Sequence, residues 1–242
     1  MTELLEILRS EEISAKESLK EKSSDKNIQA VLFDADGVLY YRKNKDIEFN
    51  KYLRQLGVES KEIPDTQLHY FRRQAFIGRM TYEQYKTAVL KLYDITDSVL
   101  VSHGIQISLE ERDKIQFFNG TLETLNILKH KNLYLGIVTD TAQPLHEKIS
   151  KLERGGFGNL LDSITSSQEV GVQKPDPKIY QLAKQQLGIT ADQAVFVGHN
   201  LIELEGARSV GVKTVAFNYE NGAKEDFYIK KFSELANLPI LS

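Results

Sequence analysis

Short apolar runs alternate with helical patterns along most of the chain. The runs are rich in β-branched and aromatic residues, and the last four alternate with stretches whose apolar residues recur at helical spacing. The runs span 30–33, 133–138, 162–165, 194–197 and 214–217, and the helical stretches lie near 121–131, 143–154, 175–187 and 201–210. Because strands buried on both faces read as continuous apolar runs, this alternation predicts an α/β fold with a Rossmann-like parallel sheet and helices on both faces.

The long interval between the first and second runs has helical spacing and few strand signals. Within it, Ser108 and Glu111 have the spacing of a helix capping box. We therefore expect an inserted helical cap domain there, while the charged and apolar mixture at the start of the chain predicts an N-terminal helical appendage. The predicted division is an appendage at 1–27, an α/β core at 28–40 and 119–242, and a helical cap at 41–118.

Composition excludes several classes of partner and chemistry. A formal net charge of -3 over 242 residues gives no general attraction to nucleic acid or to an anionic membrane. The absence of cysteine excludes disulfides, thiol catalysis and thiolate metal sites. No apolar stretch approaches membrane-spanning length, and the N-terminus lacks the apolar core of a signal peptide. We therefore expect a cytoplasmic protein without membrane partners, and no pattern indicates its oligomeric state.

Two carboxylates follow the first apolar run. Side chains alternate along a strand, so Asp34 and Asp36 point to the same side, and Gly37 allows a sharp bend after them. Two neighbouring acids can divide their roles, one as nucleophile or metal ligand and the other as general acid. The alternative is ordinary turn chemistry, because Asp and Gly are common in turns regardless of function.

Polar residues also follow the other runs, where ligands bind in parallel sheets. Thr139 and Asp140 offer a hydroxyl and backbone donors to an anion, although Asp140 could instead cap the next helix. Lys174 precedes a proline, which favours an extended conformation that can aim it at the strand ends, but most lysines are solvated surface groups. His199 and Glu203 follow the fourth run, where Glu203 could reach a metal and His199 could be structural.

These segments together resemble the haloacid dehalogenase superfamily of phosphohydrolases, in the branch with a helical cap after the first strand. The four family motifs have counterparts over about residues 28–220, at 34–39, 137–140, 171–177 and 198–207. The resemblance implies that Asp34 attacks phosphorus to form an aspartyl-phosphate, and that Asp36 protonates the leaving oxygen and then activates water. It implies catalytic roles for Asp34, Asp36, Thr139 and Lys174, substrate contacts from Gly37, Thr139, Asp140 and Lys174, and metal binding by Asp34, Asp36, His199 and Glu203.

The resemblance predicts a phosphatase acting on a small phosphorylated metabolite. Dehalogenases of the superfamily lack a carboxylate at the position of Asp36, because they have no oxygen leaving group to protonate. A phosphomutase is the alternative on the same scaffold. Basic and aromatic residues near the expected mouth could grip a second phosphate or carboxylate, or could simply be solvated surface. These residues are Tyr40, Tyr41, Arg42, Lys43, Arg72, Arg73 and Arg79.

The fourth motif departs from the family pattern. His199 stands where the family has an aspartate that binds Mg2+, and Glu203 replaces the usual later aspartate. Mg2+ is the cofactor that the family implies, whereas imidazole suits Mn2+, Co2+ or Ni2+ better. Three explanations are open: Glu203 reaches the metal, His199 becomes a ligand for a transition metal, or metal binding is lost and the protein is a noncatalytic binding module.

Overall fold

A six-stranded parallel sheet forms the centre of the protein. The structure is a computed structural model that describes residues 28–43, 45–58, 61–219, 222 and 225–241, so the predicted appendage at 1–27 lies outside the described residues. The strands are β1 (Ala30–Phe33), β4 (Tyr134–Thr139), β5 (Ser163–Ser166), β6 (Ala194–Gly198), β7 (Lys213–Phe217) and β8 (Phe227–Ile229). Their order in the sheet is β5-β4-β1-β6-β7-β8, with every neighbouring pair parallel.

Helices cover both faces of this sheet, as the apolar runs predict. In β1, Val31 and Phe33 pack into one apolar cluster with Leu125, while Leu32 packs into a second cluster with Tyr180 on the opposite face. The predicted α/β class and Rossmann-like sheet are therefore confirmed. The core helices are α5 (Thr121–His130), α6 (Leu145–Glu153), α7 (Ser167–Val170), α8 (Pro177–Leu187) and α9 (Leu201–Ser209).

Between β1 and α5 the described residues form four helices with their own apolar cluster, which includes Phe49, Tyr52 and Leu90. A two-stranded antiparallel ladder lies at the base of this segment, where Tyr40 pairs with Phe117. The helices are α1 (Ile47–Gln55), α2 (Asp65–Phe76), α3 (Tyr82–Leu92) and α4 (Ser98–Asp113), and the two short strands are β2 (Tyr40–Tyr41) and β3 (Gln116–Phe117). We call residues 41–118 the helical insert.

The capping box expected at Ser108 and Glu111 is wrong, because both residues lie inside α4. Ser108 Oγ donates to the carbonyl of Gly104, one turn back at 3.1 Å. The Glu111 carboxylate accepts from the backbone N–H groups of Glu48 and Phe49, at 2.6 and 3.0 Å. It therefore satisfies the first turn of α1, where unpaired N–H groups favour a negative charge.

Among the described residues, no helix combines the length and the apolar character needed to cross a bilayer.

Candidate active site

The predicted site residues come together beyond the carboxyl ends of the central strands. Asp34 follows β1, His199 follows β6, and Lys174 lies in the loop between α7 and α8. Strand β1 lies between β4 and β6. After β4 the chain continues to β5 on one side of β1, and after β6 it continues to β7 on the other side. Such a switch point opens a crevice at the sheet edge. A cavity at this edge is lined by Asp34, Asp36, Lys174, His199 and Glu203, together with Arg42 and Arg72.

Asp34 is buried and held as a carboxylate. Its Oδ1 accepts from Lys174 Nζ at 2.6 Å and from the backbone N–H of Ala35 at 2.8 Å. Its Oδ2 lies 3.4 Å from His199 Nδ1. Burial alone would raise the pKa of Asp34, but Lys174 and His199 hold it at about 2. Asp34 is therefore an ionised carboxylate that accepts from the Lys174 ammonium group and lies beside the His199 imidazole.

Lys174 joins two acids inside the site. Its Nζ lies 2.7 Å from Glu203 Oε2 as well as 2.6 Å from Asp34 Oδ1, and the side chain is 1% exposed. Burial alone would lower the pKa of Lys174, but Asp34 and Glu203 raise it well above its ordinary value. Its loop is anchored twice: Lys174 N–H donates to Asp140 Oδ1 at 3.0 Å, and Asp176 caps α8 by accepting from Lys178 N–H at 2.9 Å.

Asp140 therefore positions the lysine loop and does not cap the helix that follows. Helix α6 begins at Leu145, after Pro144, and receives no side-chain cap. Burial raises the pKa of Asp140 to about 7, against the opposing effect of Lys174. Thr139 ends β4 and is 1% exposed. In the part of the chain that the structure describes, Thr139 lines neither of the two cavities next to the strand ends, whereas Asp140 lines both.

Asp36 is paired with an arginine. Arg42 donates to Asp36 Oδ2 from Nη2 at 2.7 Å and from Nε at 3.1 Å. Asp36 is the more open member of the pair, with 44% of its side chain exposed. The two predicted catalytic carboxylates thus have different environments: Asp34 is buried and held by Lys174, and Asp36 faces the cavity with a guanidinium as its partner.

His199 packs directly over Gly37. A Cβ atom on Gly37 would lie 2.6 Å from His199 Cε1, and Gly37 has φ +89°, a conformation that favours glycine. Contact with the Asp34 carboxylate raises the pKa of His199, although burial opposes this effect. Nδ1 of His199 is buried and makes no well-aligned hydrogen bond, so the imidazole is placed beside Asp34 without being locked to it.

The four residues predicted to bind a metal do not fit a divalent cation as they are arranged. Oxygen donors are present, but Asp34 and Glu203 share Lys174, and Asp36 is paired with Arg42. Within the described ranges, no group of three or more His, Asp or Glu side chains is placed to hold an ion. Burial raises the pKa of Glu203, with Lys174 opposing. The metal ligand set of Asp34, Asp36, His199 and Glu203 stays a prediction.

Sequence reasoning missed two buried lysines on α6 that lie next to this site. Lys148 and Lys151 are each 3% exposed, and both line a second cavity that Asp36 and Asp140 also border. A signal was present in the sequence, since Lys148 shares a helical stripe with Leu145 and Leu152. Lysine side chains are usually exposed, so this stripe was not interpreted as a sign that Lys148 is buried.

Two known phosphatases are similar to this chain over most of its length. A glyceraldehyde 3-phosphate phosphatase from Methanocaldococcus jannaschii is 24% identical over 231 residues, which cover 87% of this chain and 96% of the relative. Pyrophosphatase PpaX from Bacillus velezensis is 27% identical over 230 residues, covering 89% of this chain and 98% of the relative.

Solved structures share the fold over most of this chain. A 2-haloacid dehalogenase from Pseudomonas syringae has a TM-score of 0.63 at 20% identity, covering 87% of this chain and 97% of its own. An HAD phosphatase from Thermococcus onnurineus has a TM-score of 0.59 at 26% identity, with the same coverage. The sequence model of the haloacid dehalogenase-like hydrolase family matches residues 28–211, about three quarters of the chain. The protein therefore belongs to the haloacid dehalogenase-like hydrolase family.

Proposed function

We propose that this protein is a phosphatase that hydrolyses a small phosphorylated metabolite through an aspartyl-phosphate on Asp34. The observation that carries the proposal is the ionised Asp34 carboxylate, buried at the sheet edge between Lys174 and His199. A carboxylate approaches a phosphate only where positive charge offsets their repulsion, and these two side chains lie where that charge is needed. The phosphatase names of the relatives support the same chemistry.

The first step forms a bond between Asp34 and phosphorus and breaks the ester bond. Oδ1 already accepts two hydrogen bonds, so Oδ2 is the oxygen that attacks. Lys174 stabilises the charge on the transferring phosphoryl group. Once released from Arg42, Asp36 takes up a proton from solvent and passes it to the leaving oxygen. Because a bound phosphate competes with Asp36 for Arg42, substrate binding frees Asp36 for this transfer.

The second step returns the site to its starting state. Water attacks phosphorus, Asp36 accepts a proton from that water, and the bond to Asp34 breaks to release inorganic phosphate. Asp36 then loses this proton to solvent and pairs with Arg42 again. The helical insert, residues 41–118, acts in this proposal as a cap that restricts the site to small molecules. Arg42 and Arg72 from the insert border the cavity that contains Asp34, which supports this role.

The divalent cation that the family implies enters none of these steps. Were it bound, its chemistry would be charge neutralisation on the phosphoryl oxygens, and Asp34, Asp36 and Glu203 would first have to leave their basic partners. One observation favours the alternative of a noncatalytic binding module: the same carboxylates are already neutralised within the chain. A phosphomutase stays open as a prediction from the motifs.

The test is phosphate release from p-nitrophenyl phosphate and a panel of small phosphate esters, with chelator or with Mg2+, Mn2+, Co2+ or Ni2+. Asp34→Asn is expected to abolish turnover and to prevent trapping of an acyl-phosphate by hydroxylamine. Asp65→Asn, at an exposed carboxylate in α2, is the matched control and should turn over like the parent. Absence of release with every ester and ion would refute the phosphatase and favour the binding module.

A further inference from the structure

A second cavity, of about 210 Å³, lies between the helical insert and the core. It is bordered by Lys86 and Arg112 from the insert and by Lys148 and Lys151 from α6. Of the described residues that line it, seven are basic and three are acidic. The lining therefore has an excess of positive charge, although the whole chain is slightly acidic.

Three of these basic residues are lysines buried without close carboxylate partners. Lys86, Lys148 and Lys151 are 6%, 3% and 3% exposed. Among the described residues, no carboxylate oxygen lies within 4.0 Å of Nζ in Lys86 or Lys148, and the nearest to Lys151 Nζ is Asp113 Oδ1 at 3.9 Å. That aspartate is itself held by Arg154 at 2.9 Å.

Neutral groups partly replace the missing anions. Lys148 Nζ donates to the Tyr40 hydroxyl at 2.7 Å, and Lys86 Nζ lies 4.2 Å from the centre of the Phe49 ring. Lys151 Nζ donates to the Arg112 carbonyl at 2.9 Å and lies 3.3 Å from Gln143 Oε1. A buried ammonium group loses its hydration, and neutral partners compensate less than an anion does. Burial accordingly lowers the pKa of Lys86, and that of Lys151 to about 7.

Arg112 supplies an independent sign of a missing ligand. Its Nη2 pairs with Glu147 at 2.5 Å, and its guanidinium lies 4.2 Å from the centre of the Tyr82 ring. Its Nη1 is buried and has no hydrogen-bond partner. Buried donors are nearly always paired, so an unsatisfied guanidinium nitrogen beside three buried lysines indicates an acceptor that binds there.

We propose that this cavity binds a second anionic group of the substrate, so that the preferred substrates are small phosphate esters that also carry a carboxylate or a second phosphate. The inference rests on the proposed phosphatase and names its substrate class. The cavity shares Asp36, Arg42 and Asp140 with the cavity that contains Asp34, so one small molecule can reach both. The phosphoryl group to be transferred lies at Asp34, and the second anion lies among Lys86, Lys148, Lys151 and Arg112.

Three esters with one carbon skeleton test this proposal. Glycerol 3-phosphate has a neutral tail, 3-phosphoglycerate has a carboxylate, and glycerol 1,3-bisphosphate has a second phosphate. We expect kcat/KM to be at least about tenfold higher for one or both anionic esters, since hydrogen bonds to charged groups contribute on this scale. The better of the two identifies the second anion. Equal or lower values for both anionic esters would overturn the proposal.

Variants of the lining lysines assign the effect to this cavity. Lys148→Met and Lys151→Met should each lower the ratio of kcat/KM for the anionic ester to that for glycerol 3-phosphate by about tenfold. Thermal unfolding should show no loss of stability, because methionine removes a poorly compensated buried charge. Lys91→Met, at an exposed lysine in α3, is the control and should leave the ratio unchanged. An unchanged ratio in both cavity variants would refute the proposal.

A binding arm separates failure of this inference from failure of the phosphatase. Calorimetry would compare 3-phosphoglycerate, glycerol 1,3-bisphosphate and glycerol 3-phosphate on Asp34→Asn, with and without Lys148→Met. Stronger binding of an anionic ester, lost with Lys148→Met, supports the cavity even if no ester is hydrolysed. Equal binding of all three esters, unaffected by Lys148→Met, overturns it whether or not phosphate is released.

Discussion

The imidazole of His199 occupies the space above Gly37 that any Cβ atom would need. The closest approach of such an atom would be 2.6 Å, to Cε1, with both ring nitrogens at 2.8 Å. The tight turn at Gly37 after β1 and the imidazole ring of His199 after β6 therefore pack directly against each other. The residue that departs from the family pattern is thus packed into the strand-end turn.

Gly37→Ala is expected to destabilise the protein by about 1–3 kcal/mol and to impair phosphate release, since it adds both a strained φ and a clash with His199. Chemical denaturation measures the change. Gly57→Ala is the matched control, because Gly57 also has positive φ, at +71°, but has open space around its Cβ position. Adding His199→Ala to Gly37→Ala should recover part of the stability. Equal losses in the Gly37 and Gly57 variants would contradict the packing argument.

Lys174→Met leaves the buried Asp34 and the partly buried Glu203 without their shared cation. We expect a loss of about 3–5 kcal/mol in the free energy of unfolding at pH 7, together with loss of turnover. Urea denaturation and phosphate release measure the two effects. Lys178→Met, at an exposed lysine on the next helix, should change neither quantity appreciably. A Lys174 variant as stable as the parent would show that the ion pairs contribute little.

Asp36→Asn separates leaving-group protonation from attack on phosphorus. With glycerol 3-phosphate, whose leaving alkoxide is strongly basic, the rate of alcohol release in the first turnover should fall by roughly 10²–10⁴. With p-nitrophenyl phosphate the same rate should fall much less, because a nitrophenolate leaves without protonation. Single-turnover kinetics on both esters provide the comparison, since the later water attack, which Asp36 also assists, is common to both. An equal fall on both would assign Asp36 to substrate positioning through its contact with Arg42.

Lys151 should make stability depend on pH above neutrality. Burial lowers its pKa in the folded protein to about 7, against 10.5 ordinarily. Between these values the unfolded chain binds more protons, so the free energy of unfolding should rise with pH, by up to about 1.4 kcal/mol per pH unit from this group. Urea denaturation from pH 6 to 9.5, in buffers without phosphate, should show a shallower rise for Lys151→Met. Parallel curves would mean that Lys151 keeps its charge.

The positions of five core strands could be predicted, because apolar runs indicate segments that are buried in the core. The five predicted runs coincide with β1, β4, β5, β6 and β7 to within one residue at each end. The sixth strand, β8, was not predicted, since Phe227–Ile229 is only three residues long and Tyr228 is exposed. This short edge strand is held in place by its pairing with β7. Such pairing leaves no periodic pattern in the sequence.

The position of the site could be predicted from the residues that follow each strand, but the ion pairs within the site could not. Asp34, Lys174 and Glu203 are far apart in the sequence, and the fold brings both carboxylates within 2.7 Å of Lys174 Nζ. The pairing of Asp36 with Arg42 depends on the path of the turn between them. The buried lysines of α6 were missed because burial of an ammonium group is a property of tertiary packing.

The paired strands β2 and β3 form a narrow neck between the core and the helical insert. Tyr40 pairs with Phe117 and Tyr41 with Gln116, so the chain departs and returns at adjacent points. A longer or shorter replacement segment would have to span the same short gap, and the entropy of closing a loop grows only slowly with its length. Grafting a different helical segment onto this neck would therefore leave β1 and α5 in place. The helical insert could therefore be replaced during evolution while the catalytic groups at the strand ends stayed the same.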